Sequence, residues 1–256
     1  PVRDQNYNFV NSSIFSYTPN YTEPNSQHWN INLQRELVHD YLVTVAYVGT
    51  KGTHLLLTED GNAARYIPGN STLANLNDRR PYYAPLTVVQ MVESSGNSIY
   101  NSGQISLDKR YSRGFSILSS YTFSKSLDSQ IGGFAPFAQD PNNFAAERGP
   151  SSYDRTHSFV NSVVWDIPAP ADWHGLRRQV LAGWQISGII QLYSGTPLSM
   201  TTSQDRALRG LPNRPDRLRN ANLDTSRPRA DLINRYFDTS AYVPNQIGQF
   251  GSAPRS

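Results

Sequence analysis

The sequence has little of several features that would define a simpler class of protein. Its 256 residues include no cysteine, which excludes disulfides and thiol chemistry. No stretch approaches the roughly 18 apolar residues of a membrane-spanning helix, and mean hydropathy is only −0.54. The net charge of +3 is too small to indicate nucleic acid as a partner. The amino terminus also lacks the apolar segment of a signal peptide, so we expect a fragment or a processed form of a longer chain.

What the sequence does contain is alternation between apolar and polar side chains. Residues 29–34 and 184–192 are the clearest examples. A period of two indicates a β-strand with one apolar and one polar face. The pattern predicts an all-β fold with six long antiparallel strands, at roughly residues 27–37, 41–57, 98–110, 115–126, 153–167 and 183–200.

The connections between these strands are of two kinds. Short turns near residues 39, 112 and 174 alternate with long polar connections, an arrangement typical of a transmembrane β-barrel with periplasmic turns and extracellular loops. The β-like piece Leu86–Val92 is an extension beyond the membrane, part of the loop, or half of an additional pair. We expect one barrel domain over residues 1–256, consisting of a loop (1–26), strands and loops (27–200) and a long extracellular loop (201–256).

Two sets of side chains follow from the alternation. The polar faces should line the lumen of the barrel, where these side chains would hydrate the channel: Asn30, Asn32, Gln34, Glu36, Gln104, Ser106, Asp108, Ser120, Thr122, Gln185, Ser187 and Gln191. Aromatic residues at both ends of the apolar faces should lie at the two membrane interfaces: Trp29, Tyr41, Phe115, Tyr121, Phe123, Phe159, Trp165 and Trp184. The alternative is a secreted or surface β-sandwich that binds carbohydrate through Trp173 and Phe137, which predicts shorter strands and loops of similar length at both ends.

Several segments in order resemble the TonB-dependent outer-membrane receptors of the Oar-like kind. They are residues 29–37, 46–55, 98–114, 121–128, 153–159, 183–188, 193–198 and 214–216. The resemblance implies a Gram-negative outer-membrane barrel of roughly 22 strands closed by a plug. Such a receptor binds a scarce extracellular ligand and transports it when TonB pulls on the plug. The sequence shows no plug domain and no closing carboxy-terminal strands, so we expect an internal segment of the barrel.

The resemblance also implies the partners. These are outer-membrane lipid and lipopolysaccharide, the plug domain, the TonB complex and an extracellular ligand that is a siderophore, a glycan, a peptide or a cobalamin. Six strands cannot close a barrel, so the isolated chain should form an open curved sheet with unpaired edges.

Residue patterns for catalysis or metal binding are missing from the sequence. The five histidines, at positions 28, 39, 54, 157 and 174, lack metal-ligand spacing. We therefore expect no enzyme activity, no cofactor and no metal. The run Asp154 to His157 is interpreted as polar residues that fix a loop by ion pairing. The eight arginines between Asp205 and Arg235 are interpreted mainly as partners of nearby carboxylates; the alternative is a patch for lipopolysaccharide phosphates or an anionic ligand.

Overall fold

Six long antiparallel strands form the body of the protein, in the order in which they follow along the chain. The structure, a computed structural model, describes residues 12–82, 86–129, 138–140, 143–211 and 213–255. The long strands are β2 (Asn25–Val38), β3 (Tyr41–Asp60), β4 (Leu86–Ser112), β5 (Phe115–Asp128), β7 (His157–Asp166) and β8 (Gln185–Tyr193). The described strands β2 and β8 are the two edges and do not pair with each other, so the sheet is open. The prediction of an open antiparallel sheet is confirmed.

Tight turns close the first two hairpins at the positions predicted from the sequence. Asp40 joins β2 to β3 with a positive φ of 71°. Arg113 and Gly114 join β4 to β5 with φ values of 52° and 75°, as a two-residue turn with both central residues left-handed requires. Glycine adopts this conformation without steric cost. The third short connection, between β7 and β8, is longer and contains helix α1 (Gly175–Leu181).

Two segments differ from the sequence-based prediction. Residues 1–26 were expected to be loop, but β1 (Ser12–Tyr17) is a strand that pairs in parallel with the start of β4; residues 1–11 lie outside the described residues. Leu86–Val92 is the first part of the continuous 27-residue strand β4, and it pairs with the end of β3. It is therefore an extension of the sheet, and the alternative of an additional strand pair is wrong.

The last two long strands are also shorter than predicted. β7 begins at His157, since residues 151–156 are irregular, and β8 ends at Tyr193 well before Met200. The remaining regular elements are short: β6 (Gly149–Pro150), β9 (Asp216–Arg217), β10 (Tyr242–Val243), α2 (Arg229–Asn234) and the 3-10 turns Asn77–Arg79, Phe144–Glu147 and Thr239–Ala241. Among the helices of the described ranges, none is long and apolar enough to cross a membrane.

The buried core lies at the end of the sheet where the long loops meet. Leu57 of β3 and Val92 of β4 are fully buried there, together with Ala64 and Leu208 of the connecting segments. Arg79 is also buried, and its guanidinium donates to the carbonyl oxygens of Thr72 (3.0 Å) and Leu208 (2.9 Å). The residues of the two long connections thus pack on the extended ends of β3 and β4. We call this assembly of residues 57–82, 86–97, 201–211 and 213–255 the loop cap.

The apolar face of the long strands is not covered by a second sheet in the described part of the chain. Ile31 and Leu33 of β2 are 70% and 75% exposed, and all of β8 is exposed. A β-sandwich would bury these side chains between two sheets. The strands are also long, and the loops are far larger at one end than at the other. The sandwich alternative is therefore not favoured; of its two proposed sugar-binding aromatics, Trp173 is half-buried beside α1 and Phe137 lies outside the described residues.

Candidate functional site

The pairing register places all twelve polar residues proposed for the lumen on one face of the sheet. Directly opposed residues of neighbouring strands point to the same face. One row across the sheet, for example, joins Asn32 to Ala46, Ala46 to Gln104 and Gln104 to Thr122. The neighbouring rows place the other members of the set on the same side of the sheet. Examples are the pair Ser106–Ser120 between β4 and β5, and the pairs that join β5 to β7 and β7 to β8. We call this side the polar face.

The eight aromatic residues proposed for the membrane interfaces lie on the opposite side, which we call the apolar face. Tyr121 pairs with Phe159 and Phe115 pairs with Trp165, so each aromatic band continues from strand to strand. Trp29 lies opposite Gly49, and a Cβ added at this glycine would come within 2.2 Å of the indole nitrogen. The indole therefore covers the glycine backbone. Across β5, residues 115 and 121 are about 20 Å apart at ~3.3 Å per residue.

Lys109 anchors the apolar face at the hairpin end, and the sequence patterns did not single it out. Its Nζ lies 5.7 Å from the ring centre of Tyr41 and 5.5 Å from that of Phe115. It donates to the carbonyl oxygens of Arg110, Ser112 and Phe115 at 2.8–3.2 Å. The Lys109 ammonium group thus lies over the β4–β5 turn, and its charge stays out of the aliphatic part of the apolar face. The feature that could have identified Lys109 is its position opposite Tyr41, in a cross-strand pair of β3 and β4.

A pocket of about 260 Å³ opens on the polar face near the loop cap. Three tyrosines, an arginine, an aspartate and several hydroxyl and amide side chains line it: Tyr100, Gln104, Thr122, Ser124, Ser126, Tyr153, Asp154, Arg155, Ser158 and Tyr193. Of these, Gln104 and Thr122 belong to the predicted lumen set. The other strand residues share the same face and follow from the same alternation. Tyr153, Asp154 and Arg155 come from the irregular segment before β7.

Hydrogen bonds hold this irregular segment against the end of β5. Asp154 is buried; its carboxylate lies 2.5 Å from Lys125 Nζ and accepts from the Ser126 N–H at 2.6 Å. Ser124 donates to the carbonyl oxygen of Arg155 at 2.8 Å. The ion pairing predicted for residues 154–157 is therefore confirmed for Asp154. It positions the next residue, so that the Arg155 guanidinium lies 5.0 Å from the ring centre of Tyr193, in cation–π contact.

The arginines of the last segment mostly contact groups of the protein itself. Arg214 forms a buried ion pair with Glu147, with Nη1 to Oε2 at 2.6 Å, and Arg209 lies 4.0 Å from Asp140. Hydrogen bonds from Ser240 and Arg219 hold the pKa of Asp238 well below its usual range, and Arg235 pairs with the same carboxylate. The interpretation of internal pairing is confirmed for these four arginines. The pairs of Arg209 and Arg214 join this last segment to the connection between β5 and β7, and the two pairs with Asp238 lie within the segment.

A carboxylate in the loop cap provides a prediction about pH. Burial, with Glu93 and Asp60 nearby, raises the pKa of Glu59 from 4.5 to about 7. Because the folded state holds this proton more tightly than the unfolded state, the contribution of Glu59 to stability is complete below pH 4.5 and is lost as the pH rises to 7. We expect Glu59→Gln to raise the unfolding temperature of the cap at pH 8 and to leave it unchanged at pH 4. Glu23→Gln, at an exposed position before β2, is the matched control and should show no such difference; equal effects would contradict the prediction.

Within the described ranges, no group of three or more His, Asp or Glu side chains is placed to hold a metal ion. His157 lies on the apolar face, where its Nδ1 is 2.8 Å from the Tyr121 hydroxyl. His28 contacts the hydroxyls of Ser26 and Thr50. These two histidines therefore have strand-end hydrogen-bond partners. The pocket on the polar face is the candidate site for a ligand.

The comparisons with known proteins agree with this geometry. Residues 2–256 match the family model described as an outer membrane beta barrel domain. No curated protein and no solved structure shows significant similarity to the chain. Barrels of this kind in general face lipid with an apolar side and enclose a polar lumen. The match covers almost the whole sequence, so the chain belongs to the outer membrane beta barrel domain family and is a protein of the cell outer membrane.

Proposed function

We propose that this chain forms part of the wall of a TonB-dependent receptor that takes up a scarce ligand across the outer membrane. The observation that carries the proposal is the pocket between Tyr100, Tyr193 and Arg155 at the loop end of the polar face. Ligand sites in β-barrels occur at the mouth of the lumen, and a pocket at the loop end of the polar face supports a site of this kind. Gating by TonB is inferred from the resemblance to Oar-like receptors.

The proposed mechanism is binding followed by conformational gating, without covalent chemistry on the ligand. Arg155 carries a charge-assisted donor, and its position is fixed by the ring of Tyr193 and by the backbone contact of Ser124. The surrounding hydroxyls of Ser126, Thr122 and Ser158 supply further donors and acceptors. This set suits a ligand rich in hydroxyl, carbonyl or acidic oxygens. The plug domain and the TonB complex are the partners that the proposal requires, and lipopolysaccharide surrounds the barrel in the outer leaflet.

The test is uptake by cells that express the intact protein. Radiolabelled ferric siderophores, cobalamin, oligosaccharides and peptides are offered in turn, with and without a functional TonB. We expect one of these classes to accumulate only when TonB is present. Arg155→Ala should lower that accumulation about tenfold, since one charge-assisted hydrogen bond is worth about 1.5 kcal/mol.

The matched control is Arg65→Ala, which removes an exposed arginine outside the pocket and should leave uptake unchanged. Uptake that continues equally after deletion of TonB would contradict the receptor mechanism. Equal uptake by the Arg155 and Arg65 variants would remove the pocket from the ligand pathway.

A further inference from the structure

The connection between β7 and β8 carries an apolar surface that the described part of the chain leaves uncovered. Helix α1 (Gly175–Leu181) has no buried residue, and it exposes Leu176 (78%), Val180 (60%) and Leu181. Leu176 and Val180 are four residues apart and therefore lie next to each other along the helix surface. Short turns at this end of a barrel normally face water, so three exposed aliphatic side chains on a seven-residue helix require a partner.

This apolar surface is continuous with the lipid-facing side of the barrel. Trp184, two residues before Ile186 of the apolar face, donates from its indole Nε1 to the carbonyl oxygen of Val180 at 2.8 Å. The backbone of Trp184 is fixed in turn, because its carbonyl oxygen accepts from the Ile167 N–H at 2.8 Å. The carboxyl end of the helix is thus attached to the ring of aromatic residues at the hairpin end of the apolar face.

The charge on this connection is mainly positive, since Asp172, before the helix, is the one acidic residue between β7 and β8. Residues 173–185 contain two arginines, at 177 and 178, one histidine and no acidic residue. The Arg177 guanidinium lies 4.7 Å from the ring centre of Trp173, so its charge lies directly beside an aromatic surface. Arginine next to tryptophan and aliphatic side chains is typical of helices that lie in a membrane interface, where the guanidinium reaches lipid phosphates.

We propose that α1 lies in the periplasmic leaflet of the outer membrane and binds anionic phospholipid. Leu176 and Val180 insert at the boundary between headgroups and acyl chains, and Arg177 and Arg178 contact the phosphates. The connection is therefore an in-plane anchor that extends the aromatic ring of the barrel beyond its strands. This role is independent of the ligand, of the pocket and of TonB.

The absence of native cysteine from this chain allows a direct test. Val180→Cys and, as the matched control, Gln179→Cys are labelled with the polarity-sensitive fluorophore NBD in the intact protein. The protein is reconstituted in vesicles of phosphatidylethanolamine and phosphatidylglycerol that contain doxyl-labelled lipid. We expect the label at position 180 to be quenched at least about threefold more than the label at 179, because only the apolar side of an interfacial helix enters the acyl region. Equal quenching at the two positions would overturn the proposal.

A second measurement tests the anionic lipid. Replacing phosphatidylglycerol by phosphatidylcholine should reduce quenching at position 180 in the protein with both arginines, and should have no effect once Arg177→Gln and Arg178→Gln are added. Heat-dependent gel mobility verifies that each variant is folded, and Leu176→Cys replaces Val180→Cys if the latter is not. A label that is shielded in native envelopes but equally accessible in lipid vesicles would assign the surface to a periplasmic protein and overturn the lipid proposal.

Discussion

Ile105→Arg should destabilise the protein by about 2–4 kcal/mol in a lipid bilayer, the cost of an arginine on the lipid face near the bilayer midplane. Ile105 lies opposite Val45 and Tyr121 on the apolar face. It is four residues from Lys109 at the hairpin-end interface and four from Asn101, which shares the row of Trp29 and Gly49 at the other interface. Because barrel strands are tilted, paired residues of neighbouring strands lie at different depths in the membrane, so Ile105 is near the middle of the apolar belt although it pairs with Tyr121. The measurement is the free energy of unfolding of the intact protein in phospholipid vesicles, from denaturant titration of tryptophan fluorescence.

The matched control for this prediction is the neighbouring residue on the same strand. Gln104 points to the polar face, so we expect Gln104→Arg to place the same charge in a water-filled lumen. We expect a change close to zero for this variant. If both arginines cost the same free energy, then Ile105 does not face lipid and the assignment of the two faces is incorrect.

Glu147→Ala should release the last segment of the loop cap, at a cost of about 3–5 kcal/mol for breaking a buried ion pair. Glu147 is fully buried and accepts from both terminal nitrogens of Arg214, at 2.6 and 3.1 Å, and from the Gln139 N–H at 3.0 Å. Removing the carboxylate leaves the Arg214 charge buried without its counterion. Hydrogen exchange of residues 213–255 in the intact protein measures this local unfolding, and we expect it to accelerate while exchange in β4 and β5 is unchanged.

Two further variants separate the ion pair from simple loss of packing. The double variant Glu147→Leu with Arg214→Met should cost much less than Glu147→Ala alone, since it removes both buried charges and keeps the volume. Arg219→Ala breaks a half-exposed pair with Asp238 and should have only a small effect. A double variant as destabilised as the single one would show that the charges do not hold the cap together.

The sequence allowed the sheet to be predicted because its signal is local. Alternation along β2, β4, β5 and β8 fixes which side chains share a face, and the tight turns at Asp40 and Gly114 fix the pairing of neighbours. The two faces could therefore be assigned before any strand pair was known. The strand β1 was missed because its Ser-rich segment has little alternation and pairs with residues about 75 positions away, at the start of β4.

The pocket could be predicted only in part, for a related reason. Its floor, including Gln104 and Thr122, follows from the strand pattern. Its rim depends on how residues 153–155 are attached to β5, through the contacts of Asp154 with Lys125 and Ser126 across about 30 residues of sequence. Nothing in the local pattern specifies such contacts. Helix α1 was missed because it is short, and His174, the residue that precedes it, makes no side-chain capping hydrogen bond.

Alternating exposure to lipid and to water along one strand tests most directly which face of the sheet contacts lipid. Single cysteines are placed in turn at residues 185–192 of β8 in the intact protein in lipid vesicles and are spin-labelled. Collision with oxygen, which concentrates in lipid, should be highest at Ile186, Ile190 and Leu192, and collision with a water-soluble nickel complex highest at Gln185, Ser187 and Gln191. If instead the two accessibilities rose and fell together along β8, without alternation, the side assigned to lipid would not be in contact with it.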